Sequence, residues 1–191
     1  MHRINSTIEL SSIESSFGVE VDVRSFNDEL ICAHNPFKGG ELFEDWLNSF
    51  RHSFLIINIK EEGIEEEVIR IMDERNLSNY FLLDVTFPFF HRLTLDNISH
   101  KIAYRVSDYE QPCKDFIINN KIKWIWLDAF MEFPEEALRI IQKIQNIKIC
   151  IVSPELHMQR DKKINASILT KIKDLDVKYD LICTKNPEIW L

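Results

Sequence analysis

From residue 54 onward the chain repeats one pattern. A short apolar run rich in β-branched and aromatic residues ends on a polar residue and is followed by a helical stretch. The runs are 54–60 (FLIINIK), 80–84 (YFLLD), 102–105 (IAYR), 122–128 (IKWIWLD), 147–153 (IKICIVS) and 179–184 (YDLICT). Their terminators, Lys60, Asp84, Arg105, Asp128, Ser153 and Thr184, recur every ~20 to 30 residues, the length of one βα unit. Near-continuous apolar strands that alternate with helices imply a parallel sheet covered by helices. The expected helices are 64–75, with an acidic first turn that suits the helix dipole, 134–145, opened by a proline, and 165–175.

Upstream, 18–23 (GVEVDV) is a seventh strand, preceded by a helix over 6–17, and 30–33 is a short extended piece leading into His34. His2 and Arg3 stand where an eighth strand would end. Eight strands of this kind predict a small (β/α)8 TIM-like barrel, in one domain over 1–191, with a short or missing first strand. Only Met1 precedes His2, so that strand has nothing to be built from unless the true start lies upstream.

The bulk composition removes several function classes. With 23 Lys and Arg against 31 Asp and Glu, the net charge of −8 argues against a partner that presents a nucleic-acid backbone. The N-terminus has no apolar leader core, and no run approaches the ~20 apolar residues that span a bilayer, so no integral membrane segment and a cytoplasmic location are expected. The four glycines, Gly18, Gly39, Gly40 and Gly63, complete neither a G-x-G-x-x-G fingerprint nor a P-loop. Cys32, Cys113, Cys150 and Cys183 lack zinc or redox spacing and are expected to be mostly small buried hydrophobes.

Chemistry concentrates at the front of the chain. Residues two apart on a strand face the same way, so Glu20 and Asp22 project together while Val19, Val21 and Val23 take the other face. Two inward carboxylates repel unless a cation sits between them, and Mg²⁺ or Ca²⁺ is the simplest such cation. The alternative is a solvated edge strand with two harmless acids. His34 ends an extended piece just before the turn-forming Asn35-Pro36, where an imidazole can be half exposed.

His2-Arg3, then Gly18-Val19-Glu20-Val21-Asp22-Val23-Arg24, then Asp28 through His34 resembles the signature of glycerophosphodiester phosphodiesterases: H-R, G-x-x-E-x-D-V, here with one residue between the glycine and the glutamate, and a histidine closing the next segment. Ile57-Asn58-Ile59-Lys60 is similar to that family's acid-x-Lys motif, and Cys183-Thr184-Lys185-Asn186-Pro187 to its closing segment. The resemblance implies that His2 and His34 are the catalytic pair and that Arg3 and Lys60 bind phosphate. It makes Glu20, Asp22 and the residue at 58 the ligands of a divalent metal, Mg²⁺ or Ca²⁺. The substrate would be a glycerophosphodiester or a similar small headgroup diester.

The departures are Asn58 in place of a ligand carboxylate, Asn35 in place of the common Asp after the histidine, Lys185 in place of the terminal acid, and the short interval between His2 and Glu20. They point to a divergent branch. Two alternatives follow, a barrel of weak or no activity that binds a phosphorylated ligand, and a cyclic-phosphate-forming lyase of the same superfamily.

Among the other strand ends, Arg105 is the best further phosphate-binding candidate, against a structural pairing with Asp84 or Asp128. The loop from Ser153 to His157 is a candidate substrate contact through Glu155 and His157. The aromatic stretch from Phe87 to His91 either lines a lipid or sugar pocket or packs a helix. A third alternative is a barrel that serves cell-surface polysaccharide or lipid metabolism in a bacterium, and the richness in Ile, Lys and Asn suits an AT-rich genome.

Overall fold

The computed structural model describes residues 1–157 and 161–190. They fall into two compact units, Met1–Leu95 and Asp96–Leu191. Each is mixed α/β.

The first unit runs α1 (Thr7–Ser12), β1 (Val19–Phe26), β2 (Glu29–Cys32), β3 (Glu41–Leu42), α2 (Phe43–Ser49), β4 (Leu55–Ile59), α3 (Glu65–Glu74), β5 (Tyr80–Leu83) and α4 (Phe87–Leu95). Its five strands lie in the order β3-β2-β1-β4-β5. β1, β4 and β5 are parallel, with Asp22 beside Asn58 and Asn58 beside Leu83. β1 and β4 carry unbroken burial over Val19 to Arg24 and Leu55 to Ile59, as strands covered on both faces must.

The extended piece at 30–33 is the return arm of a hairpin. β2 pairs antiparallel with β1, in register from Val23 with Cys32 to Phe26 with Glu29. The turn is Asn27-Asp28, with φ of 50° and 63°. Two consecutive left-handed residues make the turn whose twist matches a tight hairpin, and Asn and Asp tolerate that region best.

The helix expected over 6–17 stops at Ser12. Its start is well fixed, because the Ser6 hydroxyl accepts the Glu9 N–H while the Glu9 carboxylate accepts the Ser6 N–H, a reciprocal capping box. Ile13 is already extended, and the serine-rich segment after it has no apolar face to bury.

The expected first strand is present only as an irregular edge. The Glu20 N–H donates to the Met1 carbonyl and the Ile4 N–H to the Glu20 carbonyl, both at 2.8 Å, so residues 1–4 lie along β1. Arg3 sits between them at φ 58° and bulges out of the ladder.

The second unit runs β6 (Ala103–Val106), α5 (Lys114–Asn119), β7 (Trp124–Leu127), α6 (Glu135–Ile141), β8 (Lys148–Val152), α7 (Lys162–Asp174) and β9 (Leu181–Cys183). Its sheet is wholly parallel, in the order β6-β7-β8-β9. All seven apolar runs expected as βα strands are therefore strands in parallel ladders. α7 begins three residues earlier than its apolar pattern suggests, because the Asp161 side chain caps it through the Lys163 N–H. Cys32, Cys150 and Cys183 are buried, Cys113 is exposed, and all four are free thiols. No helix among the described residues is long and apolar enough to cross a membrane.

Candidate functional site

The inward face of β1 carries the carboxylate pair. Glu20 and Asp22 are both fully buried, and each oxygen of each carboxylate has a partner supplied from elsewhere in the first unit. Glu20 Oε1 accepts the Asn58 side-chain amide at 2.9 Å, and Oε2 accepts the Arg3 backbone N–H at 2.6 Å with His2 Nε2 3.8 Å away. Asp22 Oδ1 lies 3.0 Å from the Lys60 ammonium. Its Oδ2 accepts the Asn5 side-chain amide at 2.8 Å and faces Arg3 Nε at 4.0 Å. Asn5 also accepts the Asp22 backbone N–H, so it clamps that residue from both sides.

Arg3 is the hub of this arrangement. Its left-handed backbone turns its N–H out of the β1 ladder and onto Glu20. Its guanidinium reaches His34, with Nη2 donating to Nε2 at 2.7 Å. His34 Nδ1 faces Asn35 Oδ1 at 2.9 Å. An arginine can only donate, so Nε2 is the accepting nitrogen and Nδ1 carries the proton, which it gives to Asn35. Lys60 follows β4 and stands 3.8 Å from Asp84 as well as beside Asp22.

The first unit therefore gathers His2, Arg3, Glu20, Asp22, His34, Asn58 and Lys60 around one carboxylate pair. Asn5 and Asp84 join them. Asp84 is visible in the sequence as a strand end, whereas Asn5 has no signal beyond its nearness to His2-Arg3. Arg105 belongs to the second unit, where its Nη1 is 3.9 Å from Asp128.

Two electrostatic features bear on a divalent cation. Burial, followed by the neighbouring Asp22 charge, pushes the Glu20 carboxyl up to about 7 despite its bonds from Arg3 and Asn58 and the Lys60 charge. Asn58 Oδ1 is buried and has no hydrogen-bond partner among the described residues. Carboxylate oxygens that accept one N–H keep a further lone pair, and donors around ligand carboxylates are the usual outer shell of a metal site. The oxygens of Glu20, Asp22 and Asn58 thus fit a hard cation by chemistry, with one charge fewer than three carboxylates would supply. No cluster of three His, Cys, Asp or Glu with metal-site geometry occurs among the described residues.

The second unit has its own strand-end cluster. Asp128, just past β7, accepts His157 Nε2 at 2.7 Å and the Ala129 N–H at 2.8 Å, and the Phe130 ring packs edge-on against the imidazole. Glu155 accepts the hydroxyls of Ser153 and Thr184 and the Lys185 N–H, which pins the turn after β8 to the end of β9. Back in the first unit, Phe89 and Phe90 of α4 are buried and Phe87 is exposed.

No family model matches the chain, and neither a curated protein nor a solved structure resembles it significantly.

Proposed function

We propose that the first unit cleaves a phosphodiester, a glycerophosphodiester or similar small headgroup diester, by histidine-assisted acid–base chemistry. The observation that carries this reading is the hub at Arg3. One residue bonds the buried Glu20 with its backbone and a histidine with its side chain, and Lys60 lies on the neighbouring carboxylate.

Two fixed cations beside two histidines are what phosphoryl transfer needs, because charge must be held on the non-bridging oxygens while a proton reaches the departing alkoxide. Arg3 and Lys60 would take the phosphate oxygens. The histidines have different neighbours, and this divides their roles. His34 has its accepting Nε2 toward Arg3, and once a phosphate draws the Arg3 guanidinium onto its own oxygens that lone pair is free to take the proton of the attacking group. His2 stands 3.8 Å from the Glu20 carboxyl and is assigned the proton for the leaving alcohol. Glu20, Asp22 and Asn58 would hold Mg²⁺ or Ca²⁺, which when bound supplies Lewis-acid stabilisation of the phosphoryl oxygens. Arg105, the other phosphate-binding candidate, lies in the second unit beside Asp128, and this reading does not use it. The architecture that goes with it is the (β/α)8 barrel, supported by the parallel orders β1-β4-β5 and β6-β7-β8-β9, and the location is the cytoplasm.

The test is ³¹P NMR of a glycerophosphodiester panel incubated with purified protein and Mg²⁺ or Ca²⁺. Glycerol phosphate as product is expected, and His34→Ala should lower its rate by ~10²- to 10⁴-fold, the usual worth of a positioned acid or base. A cyclic phosphate product would replace hydrolase by lyase. No product, together with a rise in Tm on adding phosphorylated ligands, would leave a binding protein. Hydrolysis that survives both His34→Ala and Glu20→Ala would overturn the residue roles.

A further inference from the structure

Arg24 is the next residue after Glu20 and Asp22 to face the same side of β1. It is only 8% exposed. Its Nη1 is buried with no hydrogen-bond partner among the described residues, and its Nη2 makes one contact, to the Lys60 carbonyl at 3.4 Å, the far limit of a hydrogen bond.

Arg24 makes no ion pair with a carboxylate among the described residues, and the acids closest to it and to Lys60 in sequence have partners of their own. Glu61 accepts the Ser25 N–H, Glu62 accepts the Thr86 hydroxyl, and Asp22 and Asp84 face Lys60. A guanidinium cannot lose its proton in a protein, so a buried one without a paired carboxylate destabilises the fold that holds it. An unpaired charge of this kind on the face of the catalytic carboxylates is a group waiting for a ligand's opposite charge.

We infer that Arg24 binds a second anionic group of the ligand, a carboxylate or phosphomonoester carried on the alcohol portion of the diester, in addition to the phosphate that is cleaved. The inference rests on the phosphodiester reading of the same site. A planar guanidinium with a free Nη1 suits an oxyanion that takes two parallel bonds, and a neutral or cationic headgroup would leave it unpaired. The preference of the site is then set by a residue that touches neither the phosphorus nor the proton transfers.

The experiment compares three synthetic glycerophosphodiesters whose alcohol carries a carboxylate, the methyl ester of that carboxylate, or a phosphomonoester. Affinity is measured by titration calorimetry and cleavage by ³¹P NMR, on wild type and Arg24→Gln. Wild type should bind at least one of the anionic compounds tenfold or more tightly than the methyl ester, and the anionic compound that shows the preference identifies the group. In Arg24→Gln that ratio should collapse toward one. An equal loss for all three compounds in Arg24→Gln would place Arg24 on the cleaved phosphate itself and overturn the inference, as would the absence of any preference in wild type. A preference that depends on Arg24 without cleavage would leave the inference standing and remove the phosphodiesterase reading. Arg24→Met guards against a purely structural role. It should melt higher than wild type without ligand, and a markedly lower Tm with the wild-type preference retained would refute the proposal.

Discussion

Replacing Lys60 by Met tests whether the ammonium beside Asp22 holds the carboxylate pair in place. The two charges are 3.0 Å apart, with side chains 16% and 0% exposed. At an effective dielectric of about 20, Coulomb's law gives roughly 5 kcal/mol of attraction, and desolvation of the ammonium offsets part of it. Removing one partner of a buried pair typically costs about 3–5 kcal/mol, since the other charge is left behind. Asp22 keeps the Asn5 amide at 2.8 Å and the more distant Arg3, so the low end, about 3 kcal/mol, applies. The double variant Lys60→Met/Asp22→Asn removes both charges and should recover about 2 kcal/mol of that loss as a coupling term. Urea unfolding followed by far-UV circular dichroism measures all four corners of the cycle. High salt should change the coupling little, because screening acts mainly on exposed pairs. A coupling within about 0.5 kcal/mol of zero, or a Lys60→Met loss under about 1 kcal/mol, would show that Asp22 is neutralised by something other than Lys60.

Two further perturbations probe the scaffold. A methyl group at Gly40 would lie 2.3 Å from the Cys32 carbonyl oxygen, whereas Gly39 opens onto free space. Gly40→Ala should therefore destabilise by about 1–3 kcal/mol, as forced overpacking does, with Gly39→Ala near neutral, and equal melting temperatures would refute the close approach of β2 and the segment entering β3. Glu65 is buried, and burial followed by the Glu62 charge holds its carboxyl above the ordinary 4.5, against the Gly63 N–H and Arg92. Between 4.5 and that raised value the folded protein binds more protons than the unfolded chain, so stability is fullest at low pH and falls as pH rises through the window. Glu65→Gln should flatten this part of the urea-stability profile and exceed wild type at neutral pH. An unchanged slope would mean that Glu65 is not its source.

Local pattern carries far in this chain. The six apolar runs from residue 54 and the strand at β1 are each set by side chains within a few residues, so their existence and parallel sense are legible without tertiary information. The shared face of Glu20 and Asp22 is legible for the same reason, since it follows from strand alternation alone. Helix ends were less readable. The Ser6–Glu9 box announces where α1 starts, but its early end at Ser12 depends on which face finds something to bury against.

The sequence by itself thus determined the strands, the facing of the carboxylate pair and the polar residues at the strand ends, because these depend on backbone periodicity and nearest neighbours. Tertiary structure alone decided which partner each of those groups meets. Asn5 and Lys60 reach Asp22 from 17 and 38 positions away, Arg3 bonds Glu20 only because residues 1–4 bulge beside β1, and Arg24 is buried with its Nη1 unpartnered among the described residues. Charge neutralisation in a buried site is a property of the whole neighbourhood, and no local window of sequence contains it.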